Sequence, residues 1–374
     1  MLTSILFISV CFLAYANGAN DNFKGMASLF GSGTASFRQA LTWATLTTFA
    51  GSITALLLAQ TLLVKFSGKG LVPDELIHTL PFMIAVAGGA GMTVILATRY
   101  GFPISTTHAL LGAMAGSTLL ATSGTISLSP LLGNFVLPLL LSPFVALLLA
   151  GLLYRVANRW LNHRQLTDNL CLCVEKPDSL VLAADANMTL AIGTTLIPAL
   201  SVDGQEACAG RQASLIWGFN FERLRDGLHF CSAGAVCFAR GLNDTPKIAA
   251  LLLLAPGFAL QWIIIAVALF MLLGGVFNAL RVAETMSHKI TTITHEQGLS
   301  ANLVTALLVI FASKLGLPVS TTHVAVGSLF GIGLVRGKAN TGVITSIALS
   351  WLVTLPCAAV CSAAISYSLN TYLQ

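Results

Sequence analysis

The sequence predicts an all-α integral membrane protein with roughly 10 to 12 membrane segments, arranged as two inverted repeats that contain broken or re-entrant helices. Three observations lead to this prediction. Hydrophobic residues make up 56% of the 374 residues and charged residues only 9%, which excludes a soluble domain whose surface faces water. Two polar motifs each occur twice, in the same order in both halves of the chain. The charged residues concentrate between the halves, so each half is apolar enough to cross a bilayer.

Long uncharged runs supply the membrane segments, because a helix needs about 20 mostly apolar residues to cross a bilayer. The longest runs are 40–63, 79–98, 131–154 and 248–280, and shorter runs are 2–16, 105–121, 300–313, 319–335 and 342–369. Only helices satisfy the backbone polar groups along spans of this length and hydrophobicity. The first run ends in small residues that imitate the cleavage site of a secretory signal. It lacks a positively charged start, so we expect it to remain part of the fold.

A polar connector divides the chain into three parts. Residues 155–226 hold 15 of the 33 charged residues (19 Lys or Arg and 14 Asp or Glu). We therefore expect a first transmembrane repeat over 1–157, a polar connector over 158–226 and a second transmembrane repeat over 227–374. A weaker apolar stretch at 179–201 is left open as an extra span, an interfacial helix or a packed loop. The positive cluster that starts at Arg155 indicates that the start of the connector is cytoplasmic.

The first repeated motif reads "GFPISTTHALLGAMAG" from Gly101 and "GLPVSTTHVAVGSLFG" from Gly316, 215 residues later. Proline fits the first turn of a helix and the neighbouring hydroxyls cap backbone amides, so each copy predicts a helix that starts inside the bilayer. Such a tip offers unpaired N–H groups, the positive end of the helix dipole and three hydroxyls, which suit a tetrahedral oxyanion. The predicted anion ligands are Ser105, Thr106, Thr107, Ser320, Thr321 and Thr322. Hydroxyls that only bond back to a helix carbonyl are the alternative.

The second repeated motif reads "GANDNFKGMASL" from Gly18 and "GLNDTPKIAALL" from Gly241, 223 residues later. A carboxylate among apolar segments usually faces a partner or a water-filled path, and the glycine beside it permits a broken helix. Carboxylate and amide oxygens suit Na⁺, and the carboxylate can instead take up a proton. The predicted coupling-ion residues are Asn20, Asp21, Asn243 and Asp244. A lysine, Lys24 or Lys247, follows each aspartate by three residues, so a purely structural charge pair is the alternative.

Histidines and cysteines add weaker candidates. His108 and His323 end the two Ser-Thr-Thr-His motifs, where they either gate or relay protons, or bond a helix end. Cys171, Cys173 and Cys208 match no strong zinc spacing, so we expect free thiols and no metal beyond Na⁺.

The charges that flank matched motifs favour inverted repeats over parallel ones. Arg336 and Lys338 follow the second Ser-Thr-Thr-His segment, whereas residues 121–127, at the equivalent place in the first half, carry no charge. Positive charge collects on the cytoplasmic side, so equivalent ends face opposite sides of the membrane.

The four motif copies together resemble the repeats of the inorganic phosphate transporter (PiT) family, and the resemblance spans both halves of the chain. It implies an inverted-repeat secondary transporter that moves inorganic phosphate together with Na⁺ or H⁺. The Ser-Thr-Thr tips would hold phosphate at the midplane of the membrane, and the Asn-Asp sites would hold the coupling cation. Lys24 and Lys247 depart from the small neutral residues common in the family at these positions. Their pairing with the aspartates favours H⁺ over Na⁺.

We therefore expect a multi-pass symporter of the cell membrane that needs no cofactor and is not an enzyme. A permease for sulfate or another tetrahedral oxyanion, or an anion channel, is the alternative. The sequence has no nucleophile-elbow, phosphate-loop or zinc-protease motif. The net charge of +5 gives no reason for a nucleic-acid partner. Inorganic phosphate and the lipid bilayer are the expected partners, and a homodimer is left open.

Overall fold

The computed structural model describes residues 1–68, 71–122, 131–163, 170–174, 200–204, 221–253 and 255–373. The chain divides into two compact units. The larger unit comprises Met1–Arg155 and His229–Gln374, and the smaller unit comprises Val156–Leu228. The division of the larger unit into two repeats related by an inversion stays a prediction.

Helices form most of the described chain. The first half contains α1 (Leu2–Asp21), α2 (Ala27–Gly31), α3 (Phe37–Leu58), α4 (Gln60–Lys65), α5 (Asp74–Ile77), α6 (Leu80–Arg99), α7 (Thr106–Ala121) and α8 (Leu137–His163). The second half contains α9 (Phe221–Leu253), α10 (Leu260–Asn278), α11 (Leu280–Glu284), α12 (His295–Lys314), α13 (Thr321–Val335) and α14 (Thr341–Leu373). A 3₁₀ turn, Lys24–Met26, joins α1 to α2. Short π-helical segments, Leu132–Val136 and Thr285–Lys289, precede α8 and follow α11.

Among the described residues, 7 helical segments are long and apolar enough to cross a membrane. They are Leu2–Gly31, Phe37–Leu58, Leu80–Arg99, Leu132–Trp160, Leu260–Asn278, His295–Lys314 and Thr341–Tyr372. This confirms the all-α membrane fold. The number is lower than the expected ten to twelve, partly because the tip helices α7 and α13 have only 16 and 15 residues. At about 1.5 Å per residue, each is shorter than the hydrocarbon core of about 30 Å.

The smaller unit contains a short antiparallel sheet of β1 (Leu170–Val174) and β2 (Leu200–Gly204). The sequence predicts no strand here, because hydropathy alone does not distinguish a short strand from other apolar segments. Most of the stretch 179–201 lies outside the described residues, and its last two residues begin β2. Cys171 and Cys173 lie on β1, whereas Cys208 lies outside the described residues.

Matched glycines let helices of one half pack closely against helices of the other half. A Cβ atom at Gly18 on α1 would lie 1.9 Å from the carbonyl oxygen of Met271 on α10. A Cβ atom at Gly241 on α9 would lie 2.1 Å from the carbonyl oxygen of Thr48 on α3. Any side chain at either glycine would collide with the opposite backbone, so both positions require glycine. The two copies of the Asn-Asp motif are thereby held by equivalent contacts.

The tip helices are held in the same way. A Cβ atom at Gly112 on α7 would lie 2.3 Å from the carbonyl oxygen of Leu355 on α14. A Cβ atom at Gly327 on α13 would lie 2.4 Å from the carbonyl oxygen of Pro143 on α8. Because these glycines follow the matched Ser-Thr-Thr motifs at the same spacing, each tip is supported at the same distance from its first residue.

Candidate functional site

Each Ser-Thr-Thr motif lies at the start of a helix, after a turn that glycine makes feasible. Gly101 and Gly316 have φ angles of 74° and 67°, in the left-handed region that side chains other than glycine rarely adopt. Ser105 is the N-cap of α7 and Ser320 is the N-cap of α13. Each serine hydroxyl accepts a hydrogen bond from the amide three residues later, at 3.2 and 3.3 Å. Both serines keep a hydroxyl hydrogen that can be donated to an anion.

The two tips meet inside the larger unit. Thr322 Oγ1 of the second tip donates to the carbonyl oxygen of Ile104, at 2.9 Å, just before the first tip. The imidazoles of His108 and His323 lie 4.7 Å apart between ring centroids, and His323 stacks on Trp351 at 3.8 Å. Residues 215 apart in the sequence therefore form one buried cluster.

The other tip threonines are also buried in this cluster. Thr106 Oγ1 accepts a hydrogen bond from Asn17 at 2.9 Å and lies 3.5 Å from a carboxylate oxygen of Asp21. Thr107 Oγ1 accepts a hydrogen bond from Lys247 at 2.9 Å. Thr321 is the first residue of α13 and is 5% exposed. All six predicted anion ligands thus lie where the tips meet.

The ammonium group of Lys24 is surrounded by oxygen atoms from both halves. It donates to Asn20 Oδ1 at 2.8 Å, to the carbonyl oxygen of Ile104 at 2.7 Å and to Thr322 Oγ1 at 2.6 Å. It also forms a short ion pair with Asp21. Four oxygen acceptors around one buried ammonium are the ligand types that a Na⁺ ion would use.

Lys247 has an equivalent environment in the second half. Its ammonium group donates to the carbonyl oxygen of Val319 at 2.7 Å and to Thr107 Oγ1 at 2.9 Å. It also contacts Asp244 Oδ1 at 3.3 Å and lies 5.6 Å from the ring centroid of Phe66. Each lysine therefore bonds the aspartate of its own half, the carbonyl before its own tip and a threonine of the opposite tip.

The two predicted asparagines brace the segments that precede the tips. Asn20 Nδ2 donates to Thr98 Oγ1 at 2.9 Å, and Asn243 Oδ1 accepts from Ser313 Oγ at 3.2 Å. Thr98 and Ser313 occupy matched positions near the ends of α6 and α12. Asn243 Nδ2 also donates to the carbonyl oxygen of Val319 at 3.2 Å. These bonds link the Asn-Asp motif of each half to the tip of the same half.

Arg240 joins the cluster, although it belongs to neither repeated motif. Its guanidinium donates to Asn17 Oδ1 at 2.9 Å and to Asn22 Oδ1 at 3.0 Å, and Nε lies 3.8 Å from Asp244 Oδ2. The residue is 1% exposed. A sequence signal existed, because an arginine four residues before a predicted buried aspartate occupies the same helix face.

The site contains one more cationic side chain than carboxylates. Three buried cations face two buried carboxylates when all five side chains are ionised, namely Lys24, Arg240, Lys247, Asp21 and Asp244. Burying ionised groups is costly unless opposite charges and hydrogen bonds compensate. The one uncompensated positive charge favours an anionic partner.

The expectation of a broken helix at both aspartates is correct for the first copy only. Asp21 is the last residue of α1, and the 3₁₀ turn follows at Lys24–Met26. Asp244 lies inside α9, which runs on to Leu253 despite Pro246. The first copy has a helix-weakening Gly25 where the second has Ile248, followed by alanines and leucines that favour helix.

Several known proteins resemble this chain in sequence. Residues 17–362 match the profile of the phosphate transporter family. The chain belongs to the phosphate transporter family. A Chlamydia pneumoniae protein that carries the name of a phosphate permease is 29% identical and aligns over 99% of each chain. The inorganic phosphate transporter 2-1 of Arabidopsis thaliana chloroplasts is 26% identical over 92% of this chain and 68% of its own length.

The fold of this phosphate transporter family member also matches a solved structure. A protein described as the sodium-dependent phosphate transporter superposes with a TM-score of 0.76 over 99% of each chain, at 23% sequence identity. At this identity the likeness shows the fold. The chain is a multi-pass membrane protein of a transporter family, and phosphate transport is the activity that the family match supports.

Proposed function

We propose that the chain is a secondary active symporter of the cell membrane that moves inorganic phosphate together with protons. Phosphate binds between the two Ser-Thr-Thr tips, at the midplane of the membrane. The observation that carries this proposal is the crossing of the two lysines, each of which bonds an aspartate of its own half and a threonine of the opposite tip. The lysines therefore join the candidate cation site, at the Asn-Asp motifs, directly to the candidate anion site, at the Ser-Thr-Thr tips.

The tips supply what a tetrahedral oxyanion needs. Two helix N-termini, the serine hydroxyls and the two lysine ammonium groups are all hydrogen-bond donors, and the cluster has an excess positive charge. Phosphate accepts bonds from several donors at once, so donors from both tips bind one ion. Sulfate has the same shape, so a competition assay with sulfate belongs to the test.

The environment of Lys24 favours a proton over Na⁺ as the coupling ion. A Na⁺ ion would need the oxygens of Asn20, Asp21 and the neighbouring carbonyl, and the lysine ammonium already binds these atoms. A proton needs only one carboxylate oxygen. When the Asp21 carboxylate takes up a proton it becomes neutral, and the Lys24 ammonium is released to bind phosphate. Binding of the proton and binding of phosphate then both stabilise the state in which Lys24 is released from Asp21, as symport requires.

Transport assays in proteoliposomes test this function. Purified protein is reconstituted, and uptake of labelled phosphate is followed under an inward proton gradient, with Na⁺ replaced by choline. We expect concentrative uptake that persists without Na⁺, stops when a protonophore collapses the gradient and is inhibited more by unlabelled phosphate than by sulfate. Uptake that requires Na⁺ contradicts proton coupling. Uptake that only equilibrates phosphate, with no accumulation under either gradient, indicates an anion channel.

A further inference from the structure

A series of polar side chains leads from a half-buried histidine into the larger unit. Thr34 Oγ1 lies 3.1 Å from His295 Nδ1 and 3.4 Å from His229 Nδ1. His229 Nε2 lies 2.9 Å from Ser28 Oγ. Thr34 and His295 are partly exposed, whereas His229 and Ser28 are 0% and 2% exposed. Three hydrogen-bond steps therefore connect the surface to a buried serine one turn after Lys24.

The series continues to the ammonium site through a small cavity. Ser28 Oγ donates to Asn302 Oδ1 at 3.1 Å. Both residues line a cavity of about 10 Å³ that Lys24 and Thr305 also line. A volume of about 10 to 15 Å³ with several polar partners is enough for one water molecule. Water at this position would link Ser28 to Lys24. We call the residues His295, Thr34, His229, Ser28 and Asn302, with this cavity, the polar track.

Four residues of the polar track are matched, through the internal repeat, by apolar residues. Because the motifs repeat at offsets of 223 and 215, the residues matched to His229, Ser28, His295 and Asn302 are Leu6, Leu251, Leu80 and Ala87. Three of these, Leu6, Ala87 and Leu251, are buried in one hydrophobic cluster, and Leu80 packs against it. Polar residues of the track are therefore matched, through the internal repeat, by apolar residues that pack in a hydrophobic core elsewhere in the same fold.

Close packing keeps the His229 ring in the polar track. A Cβ atom at Gly298 on α12 would lie 2.2 Å from His229 Nε2 and 2.9 Å from the Ser28 side chain. The matched residue of Gly298 is Met83, which is part of the hydrophobic cluster. Glycine at 298 is what leaves room for an imidazole between α9 and α12.

The hydrogen bonds among the polar-track residues do not by themselves explain why these residues are buried. Burying a hydroxyl, an amide and an imidazole costs free energy that hydrogen bonds at best offset, whereas apolar side chains fill the matched positions at no such cost. The polar residues also form one connected series that ends at a cavity lined by Lys24, rather than isolated pairs.

We propose that the polar track is the route by which the coupling proton reaches Asp21, an inference that rests on the proposed function. A proton taken up at His295 passes along the hydroxyl of Thr34, the imidazole of His229 and the hydroxyl of Ser28 to the cavity water. Each member accepts one proton and releases another. Lys24 gives one of its protons to the Asp21 carboxylate and takes the arriving proton. The net result is one proton moved from the surface to Asp21.

The variant Ser28→Ala tests the route, because it removes one hydroxyl and no charge. Two assays in proteoliposomes separate proton delivery from phosphate binding. The first is accumulation of labelled phosphate driven by an inward proton gradient without Na⁺. The second is exchange of labelled for unlabelled phosphate at equal pH on both sides, which moves no net proton. We expect accumulation to fall at least roughly tenfold, since relay groups in proton transfer contribute at least that much, with exchange unchanged within about twofold.

Matched variants control for folding and chemistry. Ser28→Thr keeps the hydroxyl and should keep accumulation. Ser117→Ala removes a buried hydroxyl that bonds Ser362 at 2.5 Å, outside the polar track, and should leave both assays unchanged. Asn302→Ala introduces the alanine that the other half has at this position and should repeat the effect of Ser28→Ala. If Ser28→Ala fails to fold, the two assays on Asn302→Ala test the proton route instead.

The outcomes are distinguishable. Wild-type protein that accumulates phosphate under the proton gradient, together with a Ser28→Ala variant of equal accumulation, overturns the route and leaves the proposed function intact. An equal loss of accumulation and exchange in Ser28→Ala and Asn302→Ala also overturns it, since that is damage to the phosphate site. Wild-type protein without any proton-driven accumulation overturns the proposed coupling and the route with it.

Discussion

The two copies of the Asn-Asp motif have nearly the same sequence pattern and different structures. In the first copy the helix ends at Asp21, and a 3₁₀ turn carries Lys24. In the second copy α9 continues through Asp244 and Lys247. Both lysines nevertheless reach a carbonyl before their own tip and a threonine of the opposite tip. The two halves therefore share the same lysine contacts at the site, although the backbone that carries each lysine differs between them.

The copies also differ in charge. Position 17 of the first copy is Asn17 and its match in the second copy is Arg240, and the two side chains bond each other at 2.9 Å. Asp244 has two cationic partners, Arg240 and Lys247, whereas Lys24 is the ion-pair partner of Asp21 among the described residues. The excess positive charge of the site thus originates in the second copy, and each prediction below tests one part of this asymmetry.

The largest effect is expected from Arg240→Asn, which makes the two copies alike. The change removes the arginine donor to the oxygens of Asn17 and Asn22, of which Asn22 keeps the Thr48 hydroxyl at 3.3 Å, and it removes one cation from the site. Breaking a buried ionic cluster costs about 3 to 5 kcal/mol, so we expect a loss of this size in the free energy of unfolding and loss of saturable phosphate uptake. Thermal unfolding in detergent and proteoliposome uptake measure the two effects.

Two variants control this prediction. Arg336→Asn makes the same change at an exposed position and should alter neither measurement. The exchange variant Asn17→Arg with Arg240→Asn places the arginine at the matched position of the first copy. Recovery of part of the stability is expected, because the two positions contact each other. No recovery would mean that the copies are not interchangeable at this position.

A smaller difference is expected between Lys24→Ala and Lys247→Ala. The first leaves the Asp21 carboxylate without its ion-pair partner, whereas Asp244 retains Arg240 at 3.8 Å in the second. Lys24→Ala should therefore lower the free energy of unfolding by about 2 kcal/mol more than Lys247→Ala, the scale of one hydrogen bond to a charged group. Unfolding midpoints of both variants at equal pH measure the difference.

Lys24→Ala, together with Lys24→Arg, also tests the role of Lys24 as a fixed cation. Lys24→Ala leaves an oxygen cage without its ammonium group, so phosphate uptake by this variant should become stimulated by Na⁺. Lys24→Arg keeps a cation and is the control that should stay independent of Na⁺. If Na⁺ does not stimulate uptake by Lys24→Ala, the interpretation that the Lys24 ammonium takes the place of Na⁺ is wrong.

The smallest difference between the copies is expected at the tips. Ser105→Ala and Ser320→Ala each remove a hydroxyl donor to the anion, so each should weaken the apparent affinity for phosphate by roughly tenfold. The two serines cap their helices with the same geometry, at 3.2 and 3.3 Å, so the two variants should be alike. Initial uptake rates over a range of phosphate concentrations measure this. Wild-type affinity in both variants would exclude the tips from the phosphate site.

Most of the site could be predicted from the sequence because its residues belong to repeated motifs. Pro103 with the three hydroxyls after it predicts a helix start, and local backbone chemistry decides that feature. The spacing of three residues also made a pairing of Lys24 with Asp21 one of the two expected alternatives. Arg240 has no repeated partner, so its place in the cluster could not be inferred from the repeats.

The sequence by itself determined the membrane fold, the family and the two pairs of motifs, because hydrophobicity, capping and helical spacing are local properties. Only the tertiary structure decided that each lysine reaches the opposite tip, since that contact joins residues 298 and 140 positions apart. The tertiary structure also decided where α1 stops and α9 continues. Glycine and proline set only local preferences of about 1 to 3 kcal/mol, which packing against neighbouring helices can override.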